Sequence, residues 1–366
     1  MRTDRRFWIK QMGLGIVGLG LTRIPSLAAP GISRPAANDK LPIILRSNEN
    51  PYGPSPSAQK AIADHLTFSN RYHWDIAPQL IEELAGKNQV SEENILLGAG
   101  STEILDLVSK YAASKPGNYV IADPSYAYWT STLDHLGMTK IKVPLTAAKT
   151  IDLAAMSAAI NTDTRLVYIC NPNNPTGTLL GREALAGFIS RVPQSTTIIV
   201  DEAYLDFTRE SSLTELTGSH PNLVIAKTFS KIYGLAGARI GYAIAHQTMI
   251  RQLTELQSNT NNSVSVLSKL AALASLKDEQ FVSDCYALNE KARNYTISEL
   301  TKLHCTCIPS HTNFIYFSLA NYPKDFFKLL EANNIQGTGI YEEQGKWTRI
   351  TVGTMQEMRQ FIRTIQ

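Results

Sequence analysis

The chain has 366 residues, material for more than one domain, which excludes a disulfide-stapled miniprotein. Its 43% hydrophobic and 18% charged residues describe a folding chain rather than a disordered or collagen-like one. The net charge of +3 comes from the leader: residues 1–28 hold Arg2, Arg5, Arg6, Lys10 and Arg23 against Asp4, and removing them leaves 30 basic against 31 acidic residues. Such a balance excludes the cationic footprint of a nucleic-acid binder.

Asp4-Arg5-Arg6-Phe7-Trp8-Ile9-Lys10 precedes a glycine-laced apolar stretch from Met12 to Leu21 and then Ser26-Leu27-Ala28. This leader is similar to a twin-arginine export signal. Its apolar run is shorter than the roughly 20 residues a bilayer span requires, and small residues stand where a signal peptidase reads. Cleavage after Ala28 and a periplasmic location are therefore expected, without stable membrane insertion; tethering by an uncleaved signal is the alternative. Gly13-Leu14-Gly15-Ile16-Val17-Gly18 spells a dinucleotide fingerprint. A charged leader before it and Pro25 after it deny it the strand and helix on which a dehydrogenase depends. Cys170, Cys285, Cys305 and Cys307 have no zinc spacing, so no metal site is expected; the thiols read as free and mostly buried, with a disulfide in an oxidising periplasm as the alternative.

Along the rest of the chain, β-branched runs alternate with helical stretches. Strands are expected at 95–97, 119–121, 165–170, 196–200, 222–226 and 240–245, with helices over 102–113 and from Tyr126. That alternation predicts an α/β fold with a mainly parallel sheet covered on both faces. Long helical stretches over 247–276 and 278–303 follow. A strand at 313–317, a helix after Pro323, a strand at 347–352 and a last helix suggest a small α+β domain. The proline-rich run Asn48 to Pro56 reads as a fixed loop.

Several motifs fall where strands of an open sheet end, which is where such sheets bind ligands. Asp201-Glu202-Ala203-Tyr204 follows one strand and Thr228-Phe229-Ser230-Lys231 another, with Arg239 eight residues after Lys231. A lysine among hydroxyls with a nearby arginine suits an amine that condenses with an aldehyde while a cation and hydroxyls hold a phosphate. Gly98-Ala99-Gly100-Ser101-Thr102 opens a helix, whose free N–H groups and dipole favour an anion. Asn171 to Gly177 presents an amide at the same edge, and Tyr126 in Pro124-Ser125-Tyr126 is placed to cover a planar ring.

These motifs, with Asn48-Glu49-Asn50-Pro51-Tyr52-Gly53 and Arg349-Ile350-Thr351-Val352-Gly353-Thr354, resemble the histidinol-phosphate aminotransferase family of fold-type I pyridoxal-phosphate enzymes, from about Asn48 to Thr354. The resemblance implies a large domain with a mainly parallel, seven-stranded sheet over residues 67–280 and a smaller α+β domain over 281–366. Residues 29–66 then form an N-terminal arm and part of the small domain. Lys231 would carry the cofactor and move the proton, Asp201 would pair with the pyridine nitrogen, and Asn174 and Tyr204 would hold the phenolic oxygen. Tyr126 would stack on the ring. Gly100, Ser101, Thr102, Thr228, Ser230 and Arg239 would make the phosphate site. Arg349 would clasp a substrate carboxylate, with Asn174 and Tyr52 beside it. Tyr72 would reach the cofactor phosphate of a second subunit in a homodimer.

The activity implied is ping-pong amino transfer between an amino acid and a 2-oxo acid. Two departures stand out. His73-Trp74-Asp75 follows Arg71-Tyr72 where the family reads Arg-Tyr-Pro-Asp, and Gly337-Thr338 replaces a Val-Arg whose arginine helps hold the substrate phosphate. With that cation absent, the expected donor is an α-amino acid with an aromatic or other uncharged side chain. The alternatives are histidinol phosphate itself, or a decarboxylase or β-lyase on the same scaffold.

Overall fold

The computed structural model describes residues 41–366; the expected signal and cleavage site lie outside the described residues. Strand β1 (Ile43–Ile44) is followed by β2 (Ile95–Gly98), β3 (Asn118–Asp123), β4 (Thr139–Pro144), β5 (Thr164–Cys170), β6 (Thr197–Asp201), β7 (Leu223–Thr228) and β8 (Gly241–Ala245). The last seven form one sheet in the order β2-β8-β7-β6-β5-β3-β4. Only β8 runs against the others, pairing antiparallel with both β2 and β7. The expected mainly parallel α/β sheet is thus present.

Strand periodicity explains why both faces are covered. Along β5, Leu166, Tyr168 and Cys170 enter one apolar cluster with Leu105, Val108 and Leu253, whereas Val167 and Ile169 enter the opposite one with Leu84, Phe188 and Ile189. Successive side chains alternate faces, so a strand buried on both sides must be apolar throughout.

Two expectations need correction, and one strand was not expected. The stretch 247–276 is two helices, Gln247–Leu256 and Val266–Leu276. Between them lies Ser258-Asn259-Thr260-Asn261-Asn262-Ser263, where Asn261 takes a positive φ of 57° and its side chain accepts the Leu97 N–H at 2.8 Å. Short polar side chains favour such turns over helix. The helix expected from Tyr126 begins only at Ser131, after a 3-10 turn at Tyr128–Thr130. Edge strand β4 escaped notice because Lys140 and Lys142 interrupt its apolar residues, a common protection of sheet edges.

The second layer is built from β9 (Thr306–Cys307), β10 (Phe314–Ser318), β12 (Ile340–Glu342) and β13 (Trp347–Thr351), in the antiparallel order β12-β13-β10-β9. Strand β11 (Ile335–Gln336) pairs instead with β1, in parallel. Leu45 joins the apolar cluster under this smaller sheet with Ile315, Phe317, Ile350 and Phe361. The 24-residue helix Glu279–Lys302 joins both cores: Cys285 packs beneath the large sheet, Ala292 and Leu300 beneath the small one. All four cysteines are free thiols.

Candidate active site

The carboxyl ends of β5, β6 and β7 and the start of helix Ser101–Ala112 open into a cavity of about 890 Å³. Of the residues singled out from sequence, Ser101, Thr102, Tyr126, Asn174, Asp201, Tyr204, Thr228, Ser230, Lys231, Arg239 and Arg349 line it.

Asp201 closes β6 and is buried. The Tyr168 hydroxyl donates to its carboxylate at 2.8 Å and the Ala203 N–H at 3.1 Å. Burial still pushes its carboxyl up to about 6, because a lone buried carboxylate is disfavoured. Such a group is completed by a cation above it. Lys231 donates to the Ser47 carbonyl at 3.0 Å and lies 5.5 Å from the Tyr204 ring centroid. Burial, and then the Arg349 guanidinium, push its ammonium down to about 8. On the order of a tenth of this amine is therefore neutral and nucleophilic at pH 7, far more than of a free lysine.

Tyr204 is the centre of a polar cluster. Its hydroxyl accepts from the Asn48 amide at 2.9 Å and the Asn174 amide at 3.3 Å. Arg349, on β13, donates to the Asn174 side-chain oxygen at 2.5 Å, yet its buried Nε has no hydrogen-bond partner. The guanidinium is flanked by the Phe314 and Tyr341 rings at 5.2 and 5.4 Å. A planar cation held this way, with donor capacity left over, is suited to a carboxylate or phosphate.

On the other side of the cavity, Thr228 donates to Ser230 at 2.9 Å, and Arg239 donates to the Ser230 hydroxyl at 3.4 Å and the Ala236 carbonyl at 3.0 Å. Gly100 caps the helix Ser101–Ala112 with φ +79° and no side-chain cap. A Cβ there would lie 2.3 Å from Arg239 Nη2, so only glycine lets the guanidinium reach the helix end. Hydroxyls, guanidinium and helix N-terminus together make an anion site.

The cavity does not receive every residue singled out. Tyr52 lies in a separate crevice with Asn50, Phe207 and Cys285. Tyr72 is 71% exposed and stacks on Trp74 at 5.0 Å, away from this chain's own cavity. Conversely, Tyr168 beneath Asp201 reads in sequence as ordinary core. Asn48 belongs to a recognised motif, but its contact with Tyr204, across 156 residues, has no local signal. Arg46 also lines the cavity and was not singled out.

Residues 41–365 match the family described as aminotransferase class I and II. A histidinol-phosphate aminotransferase of Moorella thermoacetica is 38% identical over 329 residues, spanning 88% of this chain and 84% of that protein. Histidinol-phosphate aminotransferase 1 of Dechloromonas aromatica is 35% identical over 88% of each chain. Among solved structures, the histidinol-phosphate aminotransferase of Sinorhizobium meliloti in complex with pyridoxal-5'-phosphate superposes with a TM-score of 0.81 at 25% identity, covering 89% of this chain and 91% of that one. The cavity at the strand ends, the partly buried lysine with its buried carboxylate and these likenesses agree: the chain belongs to the aminotransferase class I and II family.

Proposed function

We propose that this chain is a pyridoxal-phosphate-dependent aminotransferase of fold type I that exchanges an amino group between an amine donor and a 2-oxo acid, with histidinol phosphate as the leading donor. The observation that carries the reading is the convergence of Lys231, Asp201, Tyr204, Asn174 and Arg349 on one cavity. The residues present fit the cofactor. Gly100 leaves room for Arg239 beside an uncapped helix end, and Asp201 is a buried acid suited to a cationic ring nitrogen; the unpartnered Nε of Arg349 is left for the substrate.

When bound, pyridoxal phosphate supplies an aldehyde for the amine and a ring that accepts electrons from the carbon losing its proton. The protein's part follows from its geometry. Asp201, steadied by Tyr168, would hold the ring nitrogen protonated. Tyr204 and Asn174 would donate to the phenolic oxygen and favour its anion. Tyr126 would cover one ring face, and Ser101, Thr102, Thr228, Ser230 and Arg239 would hold the phosphate. Lys231, with its lowered basicity, would bind the aldehyde at rest and then carry the proton between the substrate carbon and the cofactor. Arg349 would orient the substrate through its anionic group.

The Thr338 departure favoured an uncharged donor; the names of the relatives favour histidinol phosphate. Steady-state comparison of histidinol phosphate with phenylalanine, tyrosine and histidine, with 2-oxoglutarate as acceptor, tests the choice. A higher kcat/KM for histidinol phosphate is expected; a preference for phenylalanine or tyrosine would restore the uncharged donor. We also propose a homodimer in which the exposed Tyr72 serves a second copy, and export of the folded enzyme by the twin-arginine leader.

A further inference from the structure

Arg46 has no part in the site as built so far. It follows β1, whose parallel pairing with β11 sets Ile43 against Ile335 and Ile44 against Gln336. The Leu45 N–H prolongs this pairing by donating to the Gln336 carbonyl at 2.8 Å. Arg46 and Thr338 each follow two residues after the last paired residues, Ile44 and Gln336, and both line the cavity. Thr338 is the position where the expected arginine is absent, and its hydroxyl is turned to the Arg349 carbonyl. Among the described residues, Arg46 forms no hydrogen bond or ion pair through its guanidinium.

The charges lining the cavity define what is left for this guanidinium. Arg239 is turned to Ser230 and the helix end, Lys231 lies near Asp201, and Arg349 is anchored on Asn174. Glu49 is the other acid at the wall. Arg46 is the remaining cation, and its planar fork matches a carboxylate or phosphate.

We propose that Arg46 is a specificity-determining residue that supplies, from the turn after β1, the second cation of the substrate subsite. The substrate accordingly carries an anionic group, a phosphate monoester or a side-chain carboxylate, beside Arg349. This deepens the transaminase reading and rests on it. Loss of one charge-assisted fork corresponds to about 10- to 150-fold in affinity.

The test uses purified holoenzyme with histidinol phosphate, glutamate and leucine as donors, in the wild type, Arg46→Gln and Arg46→Lys. The ratio of kcat/KM for an anionic donor over leucine should fall about 10-fold or more in Arg46→Gln, chiefly through KM, and be partly restored in Arg46→Lys. A fall confined to histidinol phosphate assigns the phosphate, one confined to glutamate assigns the carboxylate, and either supports the proposal. Inorganic phosphate, as a competitive inhibitor of the holoenzyme, should weaken in parallel. Ratios within about twofold of wild type in both variants would overturn the role of Arg46 and leave transamination standing. A wild-type holoenzyme that holds cofactor on Lys231 yet transaminates no donor would overturn both readings.

Discussion

Lys231 Nζ rests 3.0 Å from the carbonyl oxygen of Ser47, a residue 184 positions earlier in the chain. Ser47 and Asn48 both take positive φ, 65° and 55°. A left-handed conformation at a residue other than glycine costs on the order of 1–2 kcal/mol. The turn is held by Asn48, whose N–H donates to the Thr351 hydroxyl at 3.0 Å and whose carbonyl accepts the Asn313 amide at 3.0 Å. Those contacts keep one carbonyl aimed at the reactive amine.

Lys231→Ala should abolish covalent cofactor attachment and amino transfer together. Borohydride reduction followed by peptide mass mapping should place the cofactor on Lys231 in the wild type. Cofactor trapped on a different lysine with normal turnover would refute the assignment.

Arg239→Ala should weaken pyridoxal phosphate binding by about 10- to 150-fold, the worth of a charge-assisted contact of roughly 1.5–3 kcal/mol. Titration of cofactor-free protein measures it. Unchanged affinity would move the phosphate site away from Ser230 and Gly100.

The cofactor-free protein should show an unusual pH response. Asp201 is raised from 3.8 to about 6, so between those values the native state keeps a proton that the unfolded chain has released. Stability therefore falls as pH rises through that window, on the order of 1–3 kcal/mol. Lys231 is lowered from 10.5 to about 8. Above pH 8 the unfolded chain holds a proton the native state has shed, so its contribution grows as pH rises. Thermal melts of wild type and Asp201→Asn across pH 4 to 7 check the first window. The variant should lack the decline, and identical curves would refute it.

Replacing Arg5 and Arg6 together by lysine should strand active enzyme in the cytoplasm. Fractionation followed by an aminotransferase assay reads this directly, and undiminished periplasmic activity would point to another export route.

Local pattern made much of this molecule readable. The β-branched runs at β5 to β8 announce themselves, and Gly100, Asp201 and Lys231 follow strands within a few residues, so their place at the sheet edge is a short-range consequence. What escaped depends on contacts between distant segments. Tyr168 is a tyrosine in an apolar strand until β6 is laid beside it with Asp201 at its end. Arg46 gains meaning only when β1 pairs with β11. The break after Leu256 has a local signal of its own: a run of asparagines and serines amid helix formers.

The hydrogen bonds joining Asn48 to Thr351 span 303 residues. Because Arg349 and Thr351 lie on β13, a nascent chain lacking its final strand has neither the substrate clasp nor the anchor that turns Ser47 toward Lys231. The large sheet can assemble on the ribosome from earlier sequence, since its last strand ends at Ala245. The reacting amine and the carbonyl opposite it, however, come into register only once β13 has been made. Catalytic competence thus waits on β13, and a product terminated before that strand carries the lysine without its setting.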